Sequence, residues 1–147
     1  MIGLLDKAGI AALIPHTGPM CLLDAVLTWD MTSIACVASS HRSANNPLAA
    51  NDRLDAVCGV EYASQAMAAH SGLIGNGHRP TSGYLASLRD VICSVERLDL
   101  LDGDLLVTAE LLISQGANAI YRFELTCNAN PALSGRAAVV VDAGDSE

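Results

Sequence analysis

The sequence predicts an α+β fold in which an antiparallel β-sheet wraps around one long central α-helix, and three observations predict it. A long segment dominated by Ala, Val, Met and Ser reads as a helix slender enough for a sheet to approach closely. Strand-like runs lie on both sides of it, two before and four after, joined by short turn-forming clusters that suit antiparallel neighbours. Half of the chain is hydrophobic (51%) but only 3% is aromatic, so the core is expected to be close-packed Ala, Val, Leu and Ile. At 147 residues the chain is one ordinary domain, expected to occupy 1–147 with 142–147 as a frayed tail.

Residues 2–13 place Ile2, Leu4, Leu5, Ile10 and Leu13 at roughly helical spacing, and Pro15 stops what they begin. After the turn-like His16-Thr17-Gly18-Pro19, the runs 20–29 and 34–40 are apolar and β-compatible and read as a strand pair. Residues 41–54 are polar, carry an Asn-Asn-Pro turn signal and show no periodicity, which predicts the longest irregular stretch of the chain. Asp55 can cap the long helix, whose body is predicted over 56–73, and Gly72 and Gly75 end it. Strands are then predicted over 84–98, 105–114, 119–127 and 137–141. The turns between them are marked by Asp102-Gly103-Asp104, Gly116-Ala117-Asn118 and Asn128-Ala129-Asn130-Pro131. One long helix amid an antiparallel sheet is the element order of a hotdog fold.

The formal charge of −8, from eight Lys and Arg against sixteen Asp and Glu, lacks the basic face that nucleic-acid binding needs. No apolar run approaches the roughly 18 residues that span a bilayer, and the N-terminal stretch carries Asp6 and only Lys7. A cytoplasmic protein with no membrane contact is expected. Cys21, Cys36, Cys58, Cys93 and Cys127 are odd in number and widely spread, fitting reduced buried thiols rather than a disulfide framework. No zinc spacing, phosphate loop or dinucleotide fingerprint is present, so neither metal nor cofactor is expected.

Three features carry a resemblance. Ile14-Pro15-His16-Thr17-Gly18-Pro19-Met20 runs into Leu22-Leu23-Asp24; Glu61-Tyr62-Ala63-Ser64-Gln65-Ala66 sets an acid four residues before a Gln on the long helix; and the order of elements is as described. Together they resemble the hotdog-fold 3-hydroxyacyl-acyl-carrier-protein dehydratase family over nearly the whole chain. One departure stands out. Ordinary members carry a His-Phe-Pro-Gly loop whose His lies fourteen residues before the helix acid; here that position is Pro47, flanked by Asn45, Asn46 and Leu48. The family's Pro-Gly pair at the helix entrance is replaced by Asp55-Ala56. In its Pro-His-x-Gly-Pro-Met opening and Asn-Pro loop the chain is more similar to a divergent accessory group associated with aryl-polyene, polyketide or fatty-acid synthesis.

The resemblance implies elimination of water from 3-hydroxyacyl thioesters on an acyl carrier protein with a phosphopantetheine-linked substrate, giving 2-enoyl thioesters. The alternative it implies is a non-catalytic hotdog subunit paired with an active dehydratase, and a hotdog thioesterase using Glu61 to activate water is a third reading. A homodimer, or a heterodimer with a second dehydratase, is expected, because hotdog proteins join sheets edge to edge and so hide unpaired strands. Arg79, Arg89 and Arg97 are candidate docking charges for an acidic carrier, or simply solvated.

Dehydration removes a proton from C2 and expels hydroxide from C3, so it needs a base, an acid and donors to the thioester oxygen. Glu61 is the expected acid, and Gln65, at i+4 on the same helix face, either orients it, binds substrate or bonds a neighbouring strand. His16, in the restrained Pro-His-Thr-Gly-Pro turn, is the expected base, with a structural tie as its other reading. His41, at the start of the long loop, competes for that role. Asn46 is a candidate donor to the thioester carbonyl, or the polar residue of an Asn-Pro turn. His70 projects from the opposite half-turn of the helix and is expected to be structural, His78 lies in a solvated turn, and Cys58 is expected to be packing.

Overall fold

The computed structural model describes residues 4–14, 20–75 and 82–142. Among the described residues, seven strands form one sheet around the long helix α2, Gly59–Ile74. In chain order they are β1 (Leu5–Asp6), β2 (Ala25–Trp29), β3 (Ser33–Ala38), β4 (Ser82–Cys93), β5 (Leu105–Gln115), β6 (Asn118–Cys127) and β7 (Asn130–Asp142). A short helix, α1 (Lys7–Ala11), follows β1. The spatial order is β1-β2-β3-β5-β6-β7-β4 with every pairing antiparallel, and this is the expected hotdog fold. No helix among the described residues is long and apolar enough to cross a membrane.

Alternation along the strands decides which face covers the helix. On β6, Tyr121, Phe123, Leu125 and Cys127 are buried while Arg122 and Glu124 are exposed. A strand with one wet face needs this period of two. Helix α2 is buried nearly all round, through Tyr62, Ala63, Ala66, Met67, Ala69 and Gly72, as befits a helix enclosed by a curved sheet. Its first residue, Gly59, packs closely: a Cβ there would lie 2.7 Å from one methyl of Leu133 and 2.9 Å from one of Leu125, so a larger residue would have to push these two core side chains aside.

Several boundaries differ from the expected ones for identifiable reasons. The opening helix is only Lys7–Ala11, started by the Asp6 carboxylate accepting from the Gly9 N–H at 3.0 Å. The first strand of the expected pair begins at Ala25, not 20, because side chains claim the backbone groups of Met20 and Leu22 that a ladder would use. Asp55 does not cap with its side chain; its carboxylate is taken by Arg53, and a turn of 3₁₀ helix, Ala56–Cys58, leads into α2. Strand β4 stops at Cys93 rather than 98, since Glu96 and Leu98 bond instead to Ala56 and Leu54 ahead of the helix. Cys93 is exposed and Cys58 half-buried, so the expectation of uniformly buried thiols fails at these two; all five thiols are free.

Strand β7 begins seven residues before the expected 137. The turn is a two-residue hairpin, Asn128-Ala129, with φ of 52° and 68°, so Asn130 and Pro131 already belong to the strand. Pro131, which lacks an N–H, falls where the β6–β7 register shifts. Alanine tolerates the left-handed region poorly. Ala129→Gly is therefore expected to stabilise the protein by about 0.5 to 1 kcal/mol, read as a higher midpoint in chemical denaturation.

Candidate functional site

Glu61 sits in the first turn of α2, partly buried, and the Gln65 amide one turn on donates to its carboxylate at 3.1 Å. Gln65 is itself fully buried. The same amide nitrogen donates to the Met20 carbonyl at 2.6 Å, and its oxygen accepts from the Leu22 N–H at 2.8 Å. Helical i+4 spacing brings acid and amide together, and the amide reaches across to the segment that follows Pro19. His16 and His78 lie outside the described residues, as does Arg79.

Asn46 is also buried. Its amide donates to the Ser40 carbonyl at 2.8 Å and to the Tyr62 hydroxyl at 2.9 Å, and its oxygen accepts from the Leu48 N–H at 2.8 Å in an Asn turn. Both amide N–H donors of Gln65 and of Asn46 are therefore used inside the protein. A substrate bond donated by either would have to replace one of these.

The structure separates the histidines sharply. His70 is fully buried, its Nδ1 2.7 Å from the Tyr121 hydroxyl and its Nε2 2.8 Å from the Asp30 carbonyl. A carbonyl only accepts, so Nε2 carries the proton and Nδ1 accepts from Tyr121. The ring ties α2 to β6 and to the turn between β2 and β3, the structural part expected of it. Burial pushes its pKa below the ordinary value, against the opposing pull of the Asp30 backbone and carboxylate.

His41, in the 3₁₀ turn Ser40–Arg42, is buried with no partner for either ring nitrogen among the described residues. Burial, then the charge of Arg42, lowers its pKa, while the nearby backbone of Gly103 and Leu101 and the Asp104 carboxylate oppose them. A folded-state pKa below the unfolded value of about 6.5 means that the unfolded chain binds the proton more readily. The stability contributed by the neutral ring is thus complete above about pH 6.5 and is lost as pH falls below it. The melting temperature is expected to drop between about pH 7 and pH 5, and His41→Phe to flatten part of that slope. Identical slopes in both proteins would remove His41 as a cause.

Of the candidate docking arginines, Arg97 is committed to Asp99 through two bonds, of 3.1 and 2.6 Å, which pull that carboxyl down to about 2. Arg89 is exposed on β4, directly opposite Arg136, which in turn lies opposite Arg122. These residues belong to the outer face of the sheet, where a cleft of about 720 Å³ is lined by Arg122, Arg136, Glu110, Glu124 and Asp90 among others. Glu61 is not part of that cleft. Among the described residues no group of three or more His, Cys, Asp or Glu could hold a metal ion.

Two side chains that the sequence did not single out complete the site. Tyr62 follows Glu61 directly, and its hydroxyl lies 2.8 Å from Ser40 Oγ, which donates to the Leu22 carbonyl at 2.8 Å. The signal for Tyr62 was available, since a Tyr in an Ala-rich buried helix needs a partner for its hydroxyl.

Comparison with known proteins gives a consistent picture. A family model described as ApeP dehydratase, ApeP-like, matches residues 8–146. No match is found among curated proteins. Among solved structures, the dehydratase heterocomplex ApeI:P from Xenorhabdus doucetiae is similar at 22% identity with a TM-score of 0.80, covering 90% of each chain. An HP0420-homologue from Helicobacter felis is similar at 12% identity and a TM-score of 0.64, over 99% of this chain and 96% of that one. A mutant thioesterase from Pseudomonas aeruginosa is similar at 13% identity and a TM-score of 0.55, over 80% of each.

Proposed function

Because the chain belongs to the ApeP-like dehydratase family, we propose that it is a dehydratase subunit acting on 3-hydroxyacyl thioesters of an acyl carrier protein, in a heterodimer with a second hotdog dehydratase. In this reading His16 takes the C2 proton, Glu61 protonates the C3 hydroxyl as the C–O bond breaks, and water and the 2-enoyl thioester leave. The observation that carries it is the Gln65 amide. It holds the Glu61 carboxylate and the Met20 and Leu22 backbone together, and Met20 is only four residues after His16 in the chain.

The heterodimer is supported by the likeness to a dehydratase heterocomplex and by strand β4. Among the described residues, that strand pairs with β7 on one side only, leaving a twelve-residue edge. An edge of that length, carrying exposed Leu88, Val91 and Ile92, invites a partner strand. Co-expression with a conventional dehydratase, mass measurement of the complex and an absorbance assay of enoyl product test the assignment. A chain that forms no complex and gives no product overturns it. Pro47 at the usual position of the loop base favours a second reading, a subunit that completes its partner without chemistry of its own. Activity of the complex that is indifferent to both Glu61→Gln and His16→Ala would decide for it.

A further inference from the structure

The hydrogen bonds around α2 form a ring whose directions are fixed by donor accounting. Asn46 Nδ2 can only donate, so the Tyr62 oxygen accepts from it. Ser40 Oγ gives its single proton to the Leu22 carbonyl, so it must accept from the Tyr62 O–H. Leu22 continues the ring through its own N–H, which donates to Gln65 Oε1, and the Gln65 amide donates to Glu61. The ring thus leaves the helix at Tyr62, crosses the 3₁₀ turn that follows β3 and the segment before β2, and returns one residue away, at Glu61. Tyr62 and Gln65 are both fully buried. Burial raises the pKa of the Tyr62 hydroxyl, which keeps the proton the ring requires. A network anchored at buried side chains in this way holds one arrangement, because breaking a bond of Tyr62 or Gln65 strands a polar group away from water.

We propose that Tyr62, Ser40 and Asn46 are positioning residues for Glu61, fixing its carboxylate through Leu22 and Gln65. The Asn-Pro loop then contributes support to the acid from the place where an ordinary dehydratase carries a base. The proposal rests on the reading of Glu61 as a reacting acid, and its test separates the two.

The full chain, in complex with its partner dehydratase and labelled with ¹³C at the glutamate carboxyls, gives signals from five glutamates, of which Glu61 is identified by its loss in Glu61→Gln. At one fixed pH, Tyr62→Phe and Ser40→Ala are expected to move the Glu61 signal and leave the other four in place. Ser40→Thr, which keeps the hydroxyl, should restore it. In the assay, Tyr62→Phe should lower kcat about tenfold and change KM less than about twofold, as expected for a group that orients without binding substrate. A Glu61 signal unmoved by both Tyr62→Phe and Ser40→Ala, or moved as far by Ser40→Thr as by Ser40→Ala, overturns the positioning role. If the wild-type complex makes no enoyl product, the dehydratase reading falls while the carboxyl signals still decide this one.

Discussion

Glu61→Gln is expected to lower enoyl formation by the proposed heterodimer about 10²- to 10³-fold, with little change in melting temperature. The range is what loss of a positioned general acid costs. Gln keeps the size of the side chain and can still accept the Gln65 N–H, so the ring through Leu22, Ser40 and Tyr62 loses no buried partner. What it cannot do is release a proton to the departing hydroxyl. KM should stay near the wild-type value, since an interaction made only in the transition state affects turnover rather than substrate capture. Product absorbance measured on the wild-type and substituted complexes reads the effect, and turnover within about threefold of wild type would remove Glu61 from the chemistry.

Phe123→Ala is expected to cost about 4 kcal/mol, the middle of the range for truncating a buried aromatic. Phe123 is the single Phe of the chain and lies in β6, almost wholly buried, directly between Ala109 on β5 and Gly135 on β7. Its ring rests over Gly135, where a Cβ would come within 2.9 Å of the ring tip. Removing the ring leaves a hole whose nearest cross-strand neighbours are an alanine and a glycine, which have no side-chain length with which to fill it. The loss is to be read as a lower urea midpoint with an unchanged slope. Phe123→Leu should recover more than half of it, because Leu restores most of the missing volume.

The fold was legible because its signals are periodic and repeated. Alternation along β6 and the small-residue run of α2 each specify a buried face, and both lie within two or three residues of where they were expected. The misplaced boundaries belong to residues whose partners are remote in sequence. Met20 and Leu22 look like strand residues, but the Met20 carbonyl and the Leu22 N–H go to Gln65, more than forty residues away. Glu96 and Leu98 likewise look like strand and bond to the approach of the helix. In the site, Glu61 and Gln65 could be paired from helical spacing alone. The ring through Ser40 and Tyr62 could not, because it is closed by tertiary packing that brings the 3₁₀ turn after β3 against α2. For Asn46, whether as a donor to the thioester carbonyl or as the polar residue of an Asn-Pro turn, the local cues carry no information about the Tyr62 hydroxyl it meets.

The place of β7 between β6 and β4 also governs the order in which the molecule can assemble. As the chain leaves the ribosome, α2 and β4 emerge well before residues 130–142 do, yet among the described residues β4 pairs with no other strand. Until β7 arrives, β4 waits with both edges bare and its apolar residues exposed, and closure must await contacts spanning about fifty residues. Synthesis alongside a partner that accepts the free edge of β4 would shorten that exposure, so the yield of folded protein should respond to co-expression more strongly than its equilibrium stability does.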